Sequence, residues 1–211
     1  MSSETEGDVP YSEDLQNPRG ANAWAEAADR KRPLRVYIRR AIVDQLRLLA
    51  FGSRVLELGS GPGLLAEQVL LHCTAIAKYT LLDFSEPMLE MSRDRVARYP
   101  SAEFLHADFR SEGWMQCLTA PYDAVVSMQA VHEVRHKRHV PKLYGQIHGL
   151  LAGDGRFLVA DRVPEDGLPR SAALFMTEQE QTRALGDAGF HDIRVVISGD
   201  ALVLCQCKKA V

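Results

Sequence analysis

The sequence predicts an α/β fold in which helices cover a mostly parallel sheet, and three observations support this prediction. Short apolar runs alternate with segments of helical periodicity along most of the chain. A glycine-rich turn, Gly59–Gly63, joins the first apolar run to a helical segment. Acidic residues (Glu57, Asp83 and Asp108) lie at the ends of three consecutive predicted strands. Because parallel strands end at one shared edge of an open sheet, we expect a ligand site there.

The composition is that of one ordinary domain. The chain has 211 residues, of which 46% are apolar and 25% are charged, and a formal net charge of −3. That charge argues against nucleic acid as a partner. The four cysteines form no C-x-x-C pair, which indicates reduced thiols and a cytoplasmic location. The acidic, polar start and the lack of a long apolar run predict neither a secretory signal nor a membrane span.

The N-terminal quarter divides into an arm and a helical cover. Residues 1–20 are polar and rich in Pro and Gly, so we predict a flexible arm. Residues 21–52 are predicted to form two helices separated at Pro33, and residues 53–211 to form the ligand-binding domain.

The first strand, Arg54–Leu58, leads through the glycines into a helix that ends near Cys73. Glycine allows the sharp turn and a close ligand approach, and the start of a helix presents free N–H groups, so a nucleotide-like ligand is predicted. The third glycine, Gly63, is one position too early for the dinucleotide fingerprint G-x-G-x-x-G. Glu57 would repel a phosphate but suits a ligand that carries an ammonium or sulfonium group.

The second strand, Thr80–Asp83, ends in a carboxylate that can accept hydrogen bonds from both hydroxyls of a ribose. Ser85 is predicted to cap the next helix, which Pro100 ends. A third strand, Glu103–Phe109, contains Asp108, and a fourth, Pro121–Gln129, is apolar enough to be buried on both faces.

The loop after the fourth strand contains His132–Glu133–Val134–Arg135–His136, a literal H-E-x-x-H sequence. On a regular helix these two imidazoles could bind zinc, with Glu133 as a general base, which would indicate a metalloprotease. We disfavour this interpretation because the sequence continues into a basic stretch and offers no obvious third ligand, so no metal site is predicted.

The C-terminal half is predicted to alternate in the same way. The expected elements are a helix over 137–151, a turn at Gly153–Gly155, a strand over 155–161, a loop, a helix opened by the capping box Thr177–Glu180, and strands Ile193–Ile197 and Ala201–Cys207.

Several of these segments match one known family. Glu57–Gly63 resembles the first motif of the class I S-adenosylmethionine-dependent methyltransferases, Leu82–Leu89 the second and Tyr122–Met128 the fourth. Leu150–Val159 resembles the family's turn before the fifth strand, with Ala152 where proline is usual. The resemblance covers about residues 35–207. It implies a Rossmann-like seven-stranded sheet with an antiparallel C-terminal strand, and S-adenosyl-L-methionine as cofactor.

The resemblance also implies roles for particular residues. Glu57 and the glycine loop would hold the methionine end, Asp83 the ribose, and Asp108 with Phe109 the adenine. His132 would lie beside the methyl acceptor, where it could act as a base. The N-terminal helices would form a lid, although they could simply cover the sheet. The full set of predicted cofactor-binding residues is Glu57, Gly59, Ser60, Gly61, Gly63, Asp83, Phe84, Met88, Asp108, Phe109, Ser127 and Met128.

The sequence therefore predicts a methyltransferase that acts on a small molecule. Ser127–Ala130 stands where methyltransferases that act on exocyclic base amines have an N-P-P-Y type run. The Pro–Cys dipeptide used for attack on pyrimidines is not present either. One alternative stays open, a protein that binds the same cofactor without transferring methyl groups and regulates a partner.

Overall fold

A computed structural model describes residues 7–11, 14–165 and 167–210. Part of the predicted arm, residues 1–6, 12 and 13, lies outside the described residues. Helix α1 (Pro18–Lys31) begins earlier than predicted because the Asn17 side chain caps it by accepting from the Arg19 N–H at 2.9 Å. Helix α2 (Leu34–Leu46) follows directly and buries Ile38, Ile42 and Leu46.

Seven strands of the described chain form one sheet. They are β1 (Ser53–Leu58), β2 (Ile76–Asp83), β3 (Ala102–His106), β4 (Tyr122–Met128), β5 (Leu151–Arg162), β6 (Phe190–Gly199) and β7 (Leu202–Lys209). Their order is β3-β2-β1-β4-β5-β7-β6. The first five strands are parallel, and β7 runs antiparallel to both β5 and β6. The predicted fold class is confirmed, including the antiparallel insertion of the last strand.

Helices cover both faces of this sheet. Those that follow β1 are α3 (Leu64–His72), α4 (Glu86–Val96), α5 (Val140–Leu150), α6 (Pro169–Leu174) and α7 (Glu178–Asp187). One core cluster joins α2 and α3 to the sheet through Ile38, Val69 and Leu81. A second joins α5 and α7 to the sheet through Tyr144 and Leu185, among others. With helices on both faces, the central strands β1 and β4 are almost fully buried, and the carboxyl edge of the sheet is free to bind a ligand.

Besides the earlier start of α1, the structure departs from the sequence-based expectation at three places in the sheet domain. Strand β3 stops at His106, so Asp108 and Phe109 follow it in a loop. The turn predicted at Gly153–Gly155 lies inside β5, where the pairing with β4 shifts register between Tyr122 and Ala124. Helix α6 occupies part of the segment predicted as a loop, since Pro169 at its first position is favourable for starting a helix.

The four cysteines are free thiols, as expected. Within the described residues, no helix combines the length and the apolar character that crossing a bilayer requires.

Candidate active site

A cleft of about 310 Å³ opens at the carboxyl edge of the sheet, above the ends of β1, β2, β4 and β5. Ten of the predicted site residues line it: Glu57, Gly59, Ser60, Gly61, Asp83, Phe84, Met88, Phe109, Met128 and His132. Tyr11, α1 and α2 contribute to its wall from the N-terminal side. The cleft is large enough for a nucleoside-sized ligand.

The glycine loop approaches its neighbours too closely for side chains. A Cβ at Gly59 would lie 2.2 Å from the Ala130 Cβ, so the loops after β1 and β4 touch only because residue 59 is glycine. Gly63 has φ of 77° and packs against Ser92 on α4. The Ser60 hydroxyl is buried and has no hydrogen-bond partner in the described part of the chain. A ligand over the loop could supply that partner.

Asp83 ties the glycine loop to the start of α4. Its carboxylate accepts from the Gly61 N–H at 2.7 Å and from the Ser85 N–H at 2.9 Å. Burial raises the pKa of Asp83 to about 6, against the lowering effect of these backbone N–H groups. A carboxylate has further acceptor sites beyond these two bonds, and Asp83 therefore remains able to accept from ligand hydroxyls.

Glu57 is 2% exposed on the floor of the cleft. The Tyr79 hydroxyl donates to its carboxylate at 2.8 Å. Burial raises the pKa of Glu57 to about 8, with a smaller contribution from the charge of Asp83. The side chain therefore favours a cationic ligand, whose charge would stabilise the ionised form.

The predicted adenine end differs from the expectation at Asp108. This carboxylate binds the Arg110 side chain, with Nε at 2.9 Å and Nη2 at 2.5 Å. It lies off the cleft wall, whereas Phe109 lines it. The Arg110 guanidinium in turn lies 5.2 Å from the Tyr11 ring and 5.8 Å from the Phe84 ring.

Two further predicted residues, both within the described chain, also lie off the wall. Gly63 shapes the start of α3, as described above. Ser127 is fully buried, and its hydroxyl donates to the Leu58 carbonyl oxygen at 3.1 Å. It therefore links β4 to β1 beneath the cleft.

His132 lies on a short 3₁₀ turn, Val131–Val134, directly after β4. Gln129 and Arg135, on either side of this turn, have φ of 57° and 66°, which is uncommon for residues with a side chain. The Asp161 carboxylate, at the end of β5, binds His132 twice, at Nδ1 (2.6 Å) and at the backbone N–H (2.8 Å). Burial alone would lower the pKa of His132, but the Asp161 and Glu133 carboxylates raise it to about 9.

The two histidines of the H-E-x-x-H sequence do not lie one turn apart on a regular helix. The 3₁₀ turn ends at Arg135 in a left-handed conformation, so His132 and His136 do not share a helix face. His136 Nδ1 instead accepts from the Arg138 N–H. Among the described residues, no group of three or more His, Cys, Asp or Glu side chains is arranged to hold a metal ion.

The sequence-based prediction missed two contributions to the cleft. Asp161 ends a predicted strand, so the rule that selected Asp83 could have selected it as well. Arginines also line the wall: Arg32, Arg35, Arg39, Arg135 and Arg162. Arg32 follows α1, and Arg35 and Arg39 lie on α2. In the sequence they are basic residues between apolar ones, and this pattern does not indicate that they face a cleft.

Comparison with known proteins finds a family model that matches the central part of the chain. Residues 55–155 match a family model described as a methyltransferase domain. No curated protein sequence matches the chain.

Solved structures of methyltransferases have a similar fold. The CurJ carbon methyltransferase aligns with a TM-score of 0.70 at 14% identity, over 83% of this chain and 54% of its own. The N-methyltransferase NodS from Bradyrhizobium japonicum WM9 aligns with a TM-score of 0.68 at 16% identity, over 85% of this chain and 98% of its own. CalH, solved as a complex with SAH, aligns with a TM-score of 0.66 at 18% identity, over 80% of this chain and 55% of its own. This chain thus spans about half the length of CurJ and CalH and nearly all of NodS, and at these identities the likeness concerns the fold.

Proposed function

We propose that the chain, whose residues 55–155 match the family model of a methyltransferase domain, is an S-adenosylmethionine-dependent methyltransferase acting on a small-molecule acceptor. The observation that carries this proposal is the position of Asp83. The carboxylate that would hold the ribose is hydrogen-bonded to Gly61, in the loop that would hold the amino-acid end. One buried group would thereby contact two parts of one adenosyl ligand.

The residues present fit this cofactor. Ser60 offers an unpaired hydroxyl at the glycine loop, and Glu57 offers a buried carboxylate suited to a cationic ligand. Phe84 and Phe109 line the wall where an adenine ring would pack. When bound, the cofactor would supply an activated methyl group on its sulfonium for in-line transfer. Asp108 would accept a hydrogen bond from the adenine amine only after its carboxylate releases the Arg110 side chain.

On the acceptor side, His132 would receive the proton of the attacking group. Asp161 would keep the imidazole oriented through Nδ1 and would stabilise its protonated form. The side chain of His132 is 14% exposed, so the transfer would take place largely shielded from water. These residues position and deprotonate the acceptor while the cofactor supplies the reactivity. The four free thiols accord with a cytoplasmic location.

Calorimetric titration with S-adenosylmethionine and S-adenosylhomocysteine tests the proposal. We expect Asp83→Ala to weaken binding by roughly tenfold or more, because hydrogen bonds to a charged group contribute about 1.5–3 kcal/mol. Asp94→Ala, an exposed change on α4, should bind as the wild type does. Titrations with NAD and ATP provide the comparison for ligand class.

Wild-type protein that fails to bind either adenosyl compound would contradict the proposal, and unchanged binding by Asp83→Ala would remove the ribose assignment. A turnover assay with labelled cofactor and a panel of hydroxyl, amine and carboxyl acceptors separates the enzyme from the non-catalytic alternative.

A further inference from the structure

The walls of the cleft carry opposite charges on different elements. Glu57 and Asp83 come from the ends of β1 and β2, next to the glycine loop. The arginines come from the other side, from α1–α2 and from the loops after β4 and β5. Guanidinium groups stay protonated in proteins. The elements that would surround an acceptor therefore carry five guanidinium groups beside the carboxylate of Glu133, although the whole chain has a net charge of −3.

Some of these arginines already have a structural task. Arg135 binds Glu133 and the backbone oxygens of Val9 and Pro10. Arg35 donates to the Gln129 side chain and stacks on Trp24, with its guanidinium 5.1 Å from the ring. Arg39 lines the cleft beside Leu64, at the start of α3, where it faces the cofactor half.

Arg162 is placed differently. Its Nη2 donates to Glu165 at 2.5 Å, and the same Glu165 oxygen accepts from Arg32 at 3.0 Å. Two guanidinium groups thus share one carboxylate, and that carboxylate is 37% exposed. The Arg162 Nε is buried without a hydrogen-bond partner in the described part of the chain. The group therefore retains both positive charge and an unused donor.

The Phe175 ring joins this guanidinium to the candidate base. The Arg162 guanidinium lies 4.3 Å from the centre of the ring, and the His132 imidazole packs edge-on against it at 5.1 Å. Phe175 is itself buried, with 4% exposure. A molecule bound beside Phe175 would consequently lie near both an anion-binding group and the candidate base, since both contact this ring.

Resting on the proposed methyltransferase function, we propose that the methyl acceptor carries a carboxylate, which Arg162 binds together with Arg32 beside His132. The planar guanidinium fork suits a carboxylate, because two parallel N–H···O bonds can form. The Glu165 carboxylate shows that these two guanidinium groups can share one carboxylate, and the acceptor would bind to the N–H groups that Glu165 leaves unused. The aromatic wall at Phe175 favours an acceptor with an apolar or aromatic body.

The test uses isosteric pairs of probes that differ only in charge: benzoate with benzamide, and 3-phenylpropanoate with 3-phenylpropanamide. Each is titrated calorimetrically, at low ionic strength, into full-length protein saturated with S-adenosylhomocysteine. We expect at least one carboxylate to bind ten times more tightly than its amide. Arg162→Gln should reduce that preference below threefold, and Arg162→Lys should retain part of it.

The controls separate binding chemistry from folding and from the proposed function. Arg183→Gln, an exposed change on α7, should keep the wild-type preference, and all three variants should bind S-adenosylhomocysteine as the wild type does. If the wild type binds S-adenosylhomocysteine but binds the acid and the amide of every pair equally, or binds neither, this inference is wrong while the proposed function stands. An unchanged preference for the carboxylate in Arg162→Gln would have the same meaning. Failure of the wild type to bind S-adenosylhomocysteine would instead contradict the proposed function.

Discussion

At the scale of the residue, the pairing of His132 with Asp161 defines the candidate chemistry. One carboxylate binds both the ring and the backbone of the histidine, at 2.6 and 2.8 Å. Because Asp161 binds Nδ1, only Nε2 can face an acceptor. In the empty cleft Nε2 lies 3.3 Å from a carboxylate oxygen of Glu133. The Asp161 and Glu133 carboxylates raise the pKa of His132 to about 9, so the ring is protonated in the empty cleft at neutral pH. The ring must release this proton before it can receive one from an acceptor, so the neutral imidazole would be the active form and turnover would rise with pH toward about 9.

Replacing the carboxylate tests this account directly. In Asp161→Asn the opposing charge is lost while burial remains, so we expect the pKa of His132 to fall from about 9 toward or below its ordinary value of 6.5. The imidazole ring signals of His132, followed by NMR between pH 5 and 10, measure this shift. Turnover, if present, should fall by roughly 100-fold or more, since the base loses its orientation.

Asp187→Asn, an exposed change at the end of α7, is the matched control and should leave the titration in place. Identical titration of His132 in the wild type and in Asp161→Asn would disprove the assignment of the pKa shift to Asp161.

At the scale of the element, the short segment 7–11 behaves as part of the cleft wall. The Val9 N–H donates to the Arg135 carbonyl oxygen at 2.8 Å, and Arg135 returns a bond from Nε to the Val9 carbonyl oxygen at 2.9 Å. The Arg135 guanidinium lies 4.4 Å from the Tyr11 ring, which stacks on Phe84 at 6.3 Å. These contacts place Tyr11 over the end of the cleft proposed for the adenosine, as a covering group.

We predict that Tyr11→Ala speeds the release of S-adenosylhomocysteine several-fold, because the covering ring is removed while the glycine loop and Asp83 stay in place. Stopped-flow displacement of the bound ligand measures the rate. Since Tyr11 is 44% exposed, the free energy of unfolding should change by only about 0.5 kcal/mol.

Tyr37→Ala provides the control, because Tyr37 is 61% exposed on α2 and lies off the cleft wall. A release rate in Tyr11→Ala that matches the control would show that segment 7–11 does not cover the ligand.

At the scale of the whole molecule, the sheet order gathers four ionisable groups at one edge. Strands β2, β1, β4 and β5 are neighbours, so Asp83, Glu57, His132 and Asp161 converge although they span more than a hundred positions. Three of these groups bind protons more tightly in the native state: Glu57 (pKa about 8), Asp83 (about 6) and His132 (about 9). Their effects on stability therefore add.

The sign of the resulting pH dependence follows from linkage. Each of the three groups has its pKa raised by folding, so the native state holds more protons and stability falls as pH rises. The contribution of Asp83 to stability is lost as pH rises from 3.8 through about 6, and that of Glu57 as pH rises from 4.5 through about 8. The contribution of His132 is lost as pH rises from 6.5 through about 9. We therefore expect the free energy of unfolding of the ligand-free protein to fall steadily as pH rises from 5 to 9.

Urea denaturation at fixed temperature and several pH values measures this slope. Glu57→Gln keeps the shape of the neutral side chain and removes one titration, so its slope between pH 5 and 8 should be shallower than that of the wild type. Stability that stays level or rises over this range would contradict the prediction.

Local sequence determined most of the fold. Apolar periodicity marks strand and helix faces, and the residues that start or end elements act within a few positions of themselves. Ser85 caps α4 as predicted, with its hydroxyl accepting from the Met88 N–H. Thr177 and Glu180 form the predicted capping box. The glycine loop and the placement of Asp83 at a strand end likewise depend on neighbours in sequence.

What only the tertiary structure decided is which polar side chains meet. Asp161 reaches His132 across 29 positions, and Arg162 and Arg32 share Glu165 across β5 and the end of α1. Asp108, selected by the same strand-end rule as Asp83, turns instead to Arg110. The physical reason is that the local pattern of apolar residues determines where each helix or strand forms and which face it buries. Charge pairing depends instead on strand order and crossover geometry, because these bring together residues that are distant in sequence.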